Sequence, residues 1–350
     1  RVLMVQLPAD RFFLFGMGGR QKYVYQKGKL FLLPQWQEVA AFPVQKEEFY
    51  PDRYRVELTL TDQSKVLLAE DEREFFMESA DGHISFSGGS LVLPDFEPSP
   101  HAKALRVLLH EVLFNIVDGK PLPNLFVYSR PWYRDGAMMA MVLQKTGNLH
   151  VIRDWILSLT ECFDRNNAGN REPDNLGQAL YLISLVSDAG HPLVKKLVEQ
   201  AREIYKDGIL QGEIDHGYHP VYAAKWLKYG LAALQMDTDW IDIPEVEDNY
   251  SPLFWMDYQD ALTPTPRREY DENYPYLWWA EQHFYKMPVD PQYLQEAYPM
   301  THETNASEAE YEGIRRLCAE YARKKNASPH TWHAAEMFLY LIDLYGTGSK

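Results

Sequence analysis

The feature that most constrains the fold is the run of small and apolar side chains over residues 136–143, Gly-Ala-Met-Met-Ala-Met-Val-Leu. A helix that is apolar on every side must be buried on every side, so this run predicts a helix inside a large core. Arg134 and Asp135 stand directly before it. The free N–H groups and the positive dipole end of a helix favour a carboxylate at that position. We therefore expect an Arg–Asp pair at the buried N-terminus of this helix, although Asp135 could also serve only as an N-cap.

The first 95 residues have the pattern of an antiparallel β-sandwich. Residues 53–61 alternate polar and apolar side chains, as a half-buried strand does. Other short apolar runs are separated by turn signals such as Lys27-Gly28 and Asp81-Gly82. A Pro-rich stretch then follows at residues 93–101. We predict a β-sandwich domain over residues 1–95, a linker with a linker helix over residues 96–123, and a helical domain over residues 124–350.

The helical part of the chain alternates between wholly apolar and amphipathic helices. The apolar helices are expected to begin near Gly136, Leu176, Val221, Pro275 and Ser328, and the amphipathic ones to cover residues 149–164, 191–206 and 307–324. Ser328 and Pro329 have the types expected of an N-cap and a first helical residue. Such alternation indicates an inner and an outer layer, in a closed (α/α) barrel or an open solenoid. Because no fixed sequence period recurs, we favour the barrel.

A four-residue segment carries a resemblance to a known superfamily. Trp132-Tyr133-Arg134-Asp135, followed by a helix of small residues and methionines, resembles the Trp-x-Arg-Asp segment of glucoamylase-like six-hairpin glycosidases. A β-sandwich, a linker helix and a helical barrel are also similar to the layout of that superfamily. The resemblance implies an (α/α)6 barrel over residues 124–350. It also implies that Arg134 and Asp135 bind the hydroxyl groups of the sugar in subsite −1, while no other motif matches, so it carries over no catalytic residue.

Side chains suited to sugars are concentrated in the loops before the predicted inner helices, which would all open at one end of a barrel. Glycoside cleavage needs one carboxylic acid to protonate the leaving oxygen and a second carboxylate to activate water or attack carbon. From loop position we expect Asp215 to be the acid and Glu303 the base, with Glu213 and Glu172 as the other candidates. The expected substrate-binding residues are Trp132, Arg134, Asp135, Asp174, His219 and Trp332. Asp174 could equally be the N-cap of the helix that begins near Leu176.

These residues predict a glycoside hydrolase that acts on a neutral oligosaccharide from a chain end and inverts the anomeric configuration. Inversion is expected because carboxylates on loops of different hairpins would stand about 6.5–9.5 Å apart. The acid should be the more enclosed of the two, since burial keeps a carboxyl group protonated. A sugar phosphorylase, a sugar epimerase and a non-catalytic carbohydrate-binding or scaffold protein are the alternatives. A phosphorylase would need a basic phosphate pocket, and an epimerase would rely on the histidines.

Composition restricts the partners of the chain. A formal net charge of −15 argues against nucleic acid and anionic membranes, and no apolar stretch reaches the roughly 18 residues of a membrane span. Cys162 and Cys318 fall within predicted helices, so we expect free thiols. Free thiols favour a cytoplasmic protein, although a chain that begins at Arg1 leaves a secreted or periplasmic origin open. We expect no cofactor and no metal, since His216 and His219 lack the spacing of a helical metal site.

Overall fold

Two antiparallel sheets form the N-terminal part of the chain. The structure, a computed structural model, describes residues 10–165, 169–248, 250–251, 298–305 and 311–345. The first sheet has four strands in chain order, β1 (Phe12–Phe15), β2 (Tyr23–Gln26), β3 (Lys29–Leu32) and β4 (Gln37–Ala41). The second has five, β5 (Val44–Tyr50), β6 (Arg55–Leu60), β7 (Lys65–Glu70), β8 (Glu74–Ser79) and β9 (Gly82–Gly88). Antiparallel strands in this region are thus confirmed.

Strand β1 is buried on both faces. Because successive side chains point in opposite directions, its residues join two different clusters. Phe13 and Phe15 join a core that includes residues of both sheets, and the Phe15 ring stacks on Phe75 with centroids 4.4 Å apart. Phe12 and Leu14 belong to a second cluster on the other face. The larger core continues from the sheets into the helices. The domain boundaries at residues 95 and 123 remain a prediction.

Nine helices are found among the described residues. They are α1 (Ala102–Phe114), α2 (Tyr133–Lys145), α3 (Arg153–Leu157), α4 (Asp174–Ser184), α5 (Pro192–Ile204), α6 (Pro220–Ala233), α7 (Glu312–Leu317), α8 (Ala319–Arg323) and α9 (Thr331–Tyr345). Two short hairpins, β10–β11 (Ile116–Val117 with Lys120–Pro121) and β12–β13 (Tyr205–Lys206 with Ile209–Leu210), connect some of them. Among these helices, none combines the length and the apolar character that a bilayer crossing requires.

The buried helices pack side by side in the order α1, α9, α2, α4 and α6. Helices α4 and α6 approach most closely at two glycines. A Cβ atom on Gly177 would lie 2.2 Å from the backbone carbonyl carbon of Trp226, and one on Gly230 would lie 2.4 Å from the carbonyl oxygen of Gly177. Since real Cβ atoms do not make such contacts, only glycine allows the two backbones to meet here. This contact fixes the separation of α4 and α6 along their length.

The expected (α/α)6 barrel is wrong, because the described residues have a mixed α/β fold with large antiparallel sheets and scattered helices. Residues 149–164, predicted as one amphipathic helix, contain a 3-10 turn (Leu149–Val151) and the five-residue α3. Residues 307–324 contain the short α7 and α8, separated at Cys318 by extended backbone. Of the three predicted amphipathic helices, α5 alone has the expected length. The helix predicted from Pro275 lies outside the described residues.

Two further details differ from expectation. Helix α9 begins at Thr331, so Ser328 is not its N-cap, and the Ser328 hydroxyl donates instead to the Thr301 carbonyl oxygen at 3.1 Å. Cys162 and Cys318 are free thiols as expected, but both lie outside the helices. The cytoplasmic location remains a prediction.

Candidate active site

A buried arginine joins the first turns of α2 and α4. The Nε atom of Arg134 donates to Asp174 Oδ2 at 2.9 Å, and Nη2 donates to Glu172 Oε2 at 3.0 Å. All three side chains are at most 4 % exposed. The expected pairing of Arg134 with Asp135 is therefore replaced by a pairing with two acids at the start of α4. Asp174 begins α4 and makes no cap bond, and its Oδ2 also accepts from Gln178 at 2.8 Å.

Asp215 is presented on a tight turn beside this arginine cluster. The backbone N–H and carbonyl groups of Ile214 and Gly217 bond reciprocally at 2.8 and 2.9 Å, and both central residues have positive φ, 49° for Asp215 and 63° for His216. These are the features of a type I′ turn. The Asp215 N–H donates to Glu172 Oε1 at 2.6 Å. The Glu172 carboxylate thus accepts from Arg134 through Oε2 and from the backbone of the Asp215 turn through Oε1.

The two candidate carboxylates differ in exposure, but in the opposite sense to our expectation. Asp215, the expected acid, is exposed, whereas the Glu303 side chain is 27 % exposed. The Asp215 carboxylate accepts a hydrogen bond from the Tyr250 hydroxyl at 3.4 Å. Glu213, two residues earlier, is exposed and makes no hydrogen bond or ion pair with other described residues. The cluster therefore does not include Glu213.

Three aromatic rings form a stack next to Arg134. The His219 and Tyr250 rings lie 4.2 Å apart and nearly parallel, and Tyr250 stacks on Trp332 at 5.4 Å. The Arg134 guanidinium lies over the Tyr250 ring at 5.7 Å. His219 Nδ1 is 3.1 Å from Asp248 Oδ1, and the other oxygen of Asp248 accepts from the first backbone N–H groups of α6. We name this set, His219, Tyr250 and Trp332, the aromatic stack.

Glu303 is held beside two histidines at the start of α9. Its backbone exchanges two hydrogen bonds with Ala327, each 3.0 Å long, and its Oε2 is 2.6 Å from His330 Nε2. Burial alone would raise the pKa of Glu303, but the charge and hydrogen bond of His330 outweigh it and lower this pKa to about 2. Burial likewise opposes the charge of His330, yet the neighbouring Glu303 raises its pKa overall. Glu303 and His330 therefore stabilise each other's charged forms.

Asp135 lies in the first turn of α2, next to this pair. It is 3 % exposed, and its Oδ1 accepts a hydrogen bond from Thr331 Oγ1 at 3.4 Å. Burial raises the pKa of Asp135 to about 7, although the positive charge of His330 acts in the opposite direction. Near neutral pH its carboxyl group can therefore be protonated, and a protonated carboxyl can donate as well as accept a hydrogen bond.

Most of the residues singled out from the sequence thus converge on one end of the helices. This cluster contains Arg134, Asp135, Glu172, Asp174, Asp215, His219, Glu303 and Trp332. Trp132 lies at its edge, where its ring makes an edge-to-face contact with Tyr128 at 5.2 Å. Sequence reasoning missed Asp248 and Tyr250, which lie in a segment without periodicity. The spacing of His330 and His333, three residues apart at a helix start, could have indicated a shared face.

Glu303, His330 and His333 could together hold a metal ion. They offer ligand atoms that all lie within 4.8 Å of one another. Two histidines and a carboxylate form a common ligand set for zinc and related transition metals. Because Glu303 and His330 already bond each other directly, an ion would have to displace that hydrogen bond.

No protein-family model, no curated protein and no solved structure matches this chain.

Proposed function

We propose that the protein is a glycoside hydrolase that removes a neutral sugar from the end of an oligosaccharide. The observation that carries the proposal is that two carboxylates with access to solvent, Asp215 and Glu303, belong to the same cluster as the aromatic stack. Aromatic faces pack against the apolar face of a sugar ring, and paired carboxylates perform glycosidic cleavage. The buried Asp135, whose pKa is raised to about 7, can bind a sugar hydroxyl as donor when protonated or as acceptor when ionised.

In the proposed reaction Glu303 is the base and Asp215 the proton donor. The pKa of Glu303, lowered to about 2, keeps its carboxylate ionised, so that it can orient a water molecule and accept its proton as the water oxygen bonds to the anomeric carbon. Asp215 would protonate the leaving oxygen once bound sugar has displaced water from it. Attack by water on the face opposite the leaving group gives inversion. Glu172 and Arg134 act through Asp215, because Glu172 holds the backbone of its turn.

Replacing Asp215 with asparagine tests the proton donor. We expect Asp215→Asn to lower kcat/KM on unactivated oligosaccharides by about 10²–10⁴-fold, because the leaving alkoxide then departs without a proton. Hydrolysis of aryl glycosides with an activated leaving group should fall far less. Glu213→Gln is the matched control, since it removes an exposed carboxylate two residues away and should leave both substrates unaffected.

Four results would each contradict a part of this proposal. Equal losses on both substrate classes would exclude Asp215 as the donor. If Asp135→Asn reproduced the dependence on the leaving group, the buried aspartate would be the donor. If NMR of the first product showed the anomeric configuration of the substrate, inversion would be wrong. If no saccharide in a broad panel of aryl glycosides and disaccharides is cleaved, the hydrolase proposal itself fails.

Zinc provides an independent test of the base. We expect micromolar Zn²⁺ to inhibit the enzyme reversibly, because Zn²⁺ would capture Glu303 together with His330 and His333 and remove the carboxylate from catalysis. EDTA should restore activity, and EDTA alone should not reduce it. His333→Gln should raise the zinc concentration needed for half inhibition. A loss of activity with EDTA that added zinc reverses would instead identify a metal enzyme.

A further inference from the structure

A small cationic pocket lies beside the loop that carries Glu172. Its volume is about 190 Å³, and it is lined by the segment around Thr160 and Arg165, by Arg171 and by Lys196 of α5. Pockets for drug-sized ligands have volumes of about 300–1,000 Å³. This pocket is therefore suited to a group of a few atoms rather than to an oligosaccharide.

The charge of the pocket is opposite to that of the chain. Three cations, Arg165, Arg171 and Lys196, share it with one carboxylate, Glu161, in a protein whose formal net charge is −15. None of the three cations forms an ion pair with an acid in the described part of the chain. Three unpaired cations around one small cavity repel one another, and an anion bound between them would relieve that repulsion.

Helix α5 shows the difference between a paired and an unpaired lysine. Lys195 lies 3.8 Å from Glu199, one turn further along the helix, and forms an ordinary surface ion pair. The residue one turn after Lys196 is Gln200, whose amide donates to Glu203 at 3.1 Å. Glu199, three residues after Lys196, pairs with Lys195 instead, so no described acid forms an ion pair with Lys196. Lys196 lines the pocket.

Both arginines of the pocket contact neighbouring groups. The Arg171 guanidinium lies over the buried Phe163 ring at 5.9 Å, which restricts its orientation. The carbonyl group of Arg165 accepts a hydrogen bond from Arg130 at 2.6 Å, which restrains the segment on the other side. A planar guanidinium held in this way matches the oxygen atoms of phosphate or sulfate.

We propose that this pocket binds a tetrahedral oxyanion, as free inorganic phosphate or as a phosphate or sulfate group on a saccharide. Arg171 immediately precedes Glu172, and Asp164, next to Arg165, accepts the Tyr133 N–H at 2.6 Å. The loop that lines the pocket therefore also contacts the first turn of α2. The residues that line this pocket are different from those of the acid-rich cluster, and the proposal stands whether or not the protein is a hydrolase.

Titration with inorganic phosphate tests the site directly. We expect ³¹P NMR or calorimetry, at constant ionic strength in a chloride buffer, to show one site with a dissociation constant of about 1 mM or below. Arg171→Gln and Lys196→Gln should each weaken binding by about 10-fold or more, because each removes a charged hydrogen bond. Lys195→Gln removes the same charge from the same helix outside the pocket, and it should leave the affinity unchanged.

Competing ligands distinguish the two sources of the oxyanion. A sugar monophosphate that binds at least about 10-fold more tightly than phosphate would identify a substituted saccharide as the ligand, whereas equal affinities would identify the free ion. Equal weakening in Lys195→Gln, or no saturable binding by the wild-type protein with its thermal unfolding unchanged, would overturn the proposal. Because Arg171 and Lys196 are exposed, circular dichroism should show that their variants remain folded.

Discussion

Replacing Arg134 with methionine is expected to lower the free energy of unfolding by about 3–5 kcal/mol. The variant leaves Glu172 and Asp174 without their counter-charge, although both side chains are at most 2 % exposed. An uncompensated buried carboxylate is costly because water can no longer solvate it. Urea denaturation, monitored by circular dichroism, measures the change.

The control replaces the whole charged set. Arg134→Met combined with Glu172→Gln and Asp174→Asn removes all three charges of this buried set, so much of the lost stability should return. Activity should not return, because the Asp215 turn has lost the carboxylate that holds its N–H group. If the single and triple variants are equally unstable, the loss comes from packing around Arg134 and not from unpaired charge.

The second large effect concerns Glu111, which is fully buried in α1. Its Oε1 accepts the N–H groups of Met300 and Thr301, and its Oε2 is 3.0 Å from Thr301 Oγ1. That hydroxyl is also 3.1 Å from the His330 carbonyl oxygen, which can only accept. A threonine hydroxyl has one proton, so both contacts are satisfied when Glu111 is protonated and donates to the hydroxyl.

Stability should therefore fall as the pH rises from about 4.5 to about 8. Burial raises the pKa of Glu111 from 4.5 to about 8 in the folded protein, in spite of the hydrogen bonds it accepts. Between these values the unfolded chain releases a proton that the folded chain retains. The contribution of Glu111 is therefore complete below pH 4.5 and decreases by up to about 1.4 kcal/mol per pH unit. Above pH 8 it no longer changes.

Glu111→Gln should remove this part of the pH dependence. Glutamine keeps an acceptor for the two N–H groups and a donor for Thr301, so the variant should be more stable than the wild type at pH 8. Burial raises the pKa of Glu70 as well, but Glu70 provides the contrast because it pairs with Arg20 at 3.3 Å, and removing its charge leaves a buried arginine without that counter-charge. Glu70→Gln should destabilise the protein near neutral pH. An unchanged slope in Glu111→Gln would show that Glu111 is ionised in the folded state.

Local structure was largely readable from the sequence. Alternation over residues 53–61 predicted the strand β6, and the apolar runs after Arg134 and Asp174 predicted α2 and α4. Strands and helices were predicted from the spacing of apolar side chains, which repeats every 2 residues in a strand and every 3.6 in a helix. That spacing is a property of the amino-acid sequence itself. The loops that supply acids and aromatics were found as the segments that precede the predicted buried helices.

The sequence by itself thus determined that the N-terminal part forms antiparallel strands, where the buried helices lie, and which loops carry the polar groups. Only the tertiary structure decided the number and arrangement of the helices, the partners of Arg134, the exposure of Asp215 and the inclusion of Tyr250. Periodicity tells which side of a helix meets an apolar neighbour, but the identity of that neighbour depends on packing. The Arg134–Asp174 bond joins residues 40 positions apart, and the Glu111–Thr301 bonds join residues 190 apart. Such pairings arise from the packing of whole helices, and no local pattern records them.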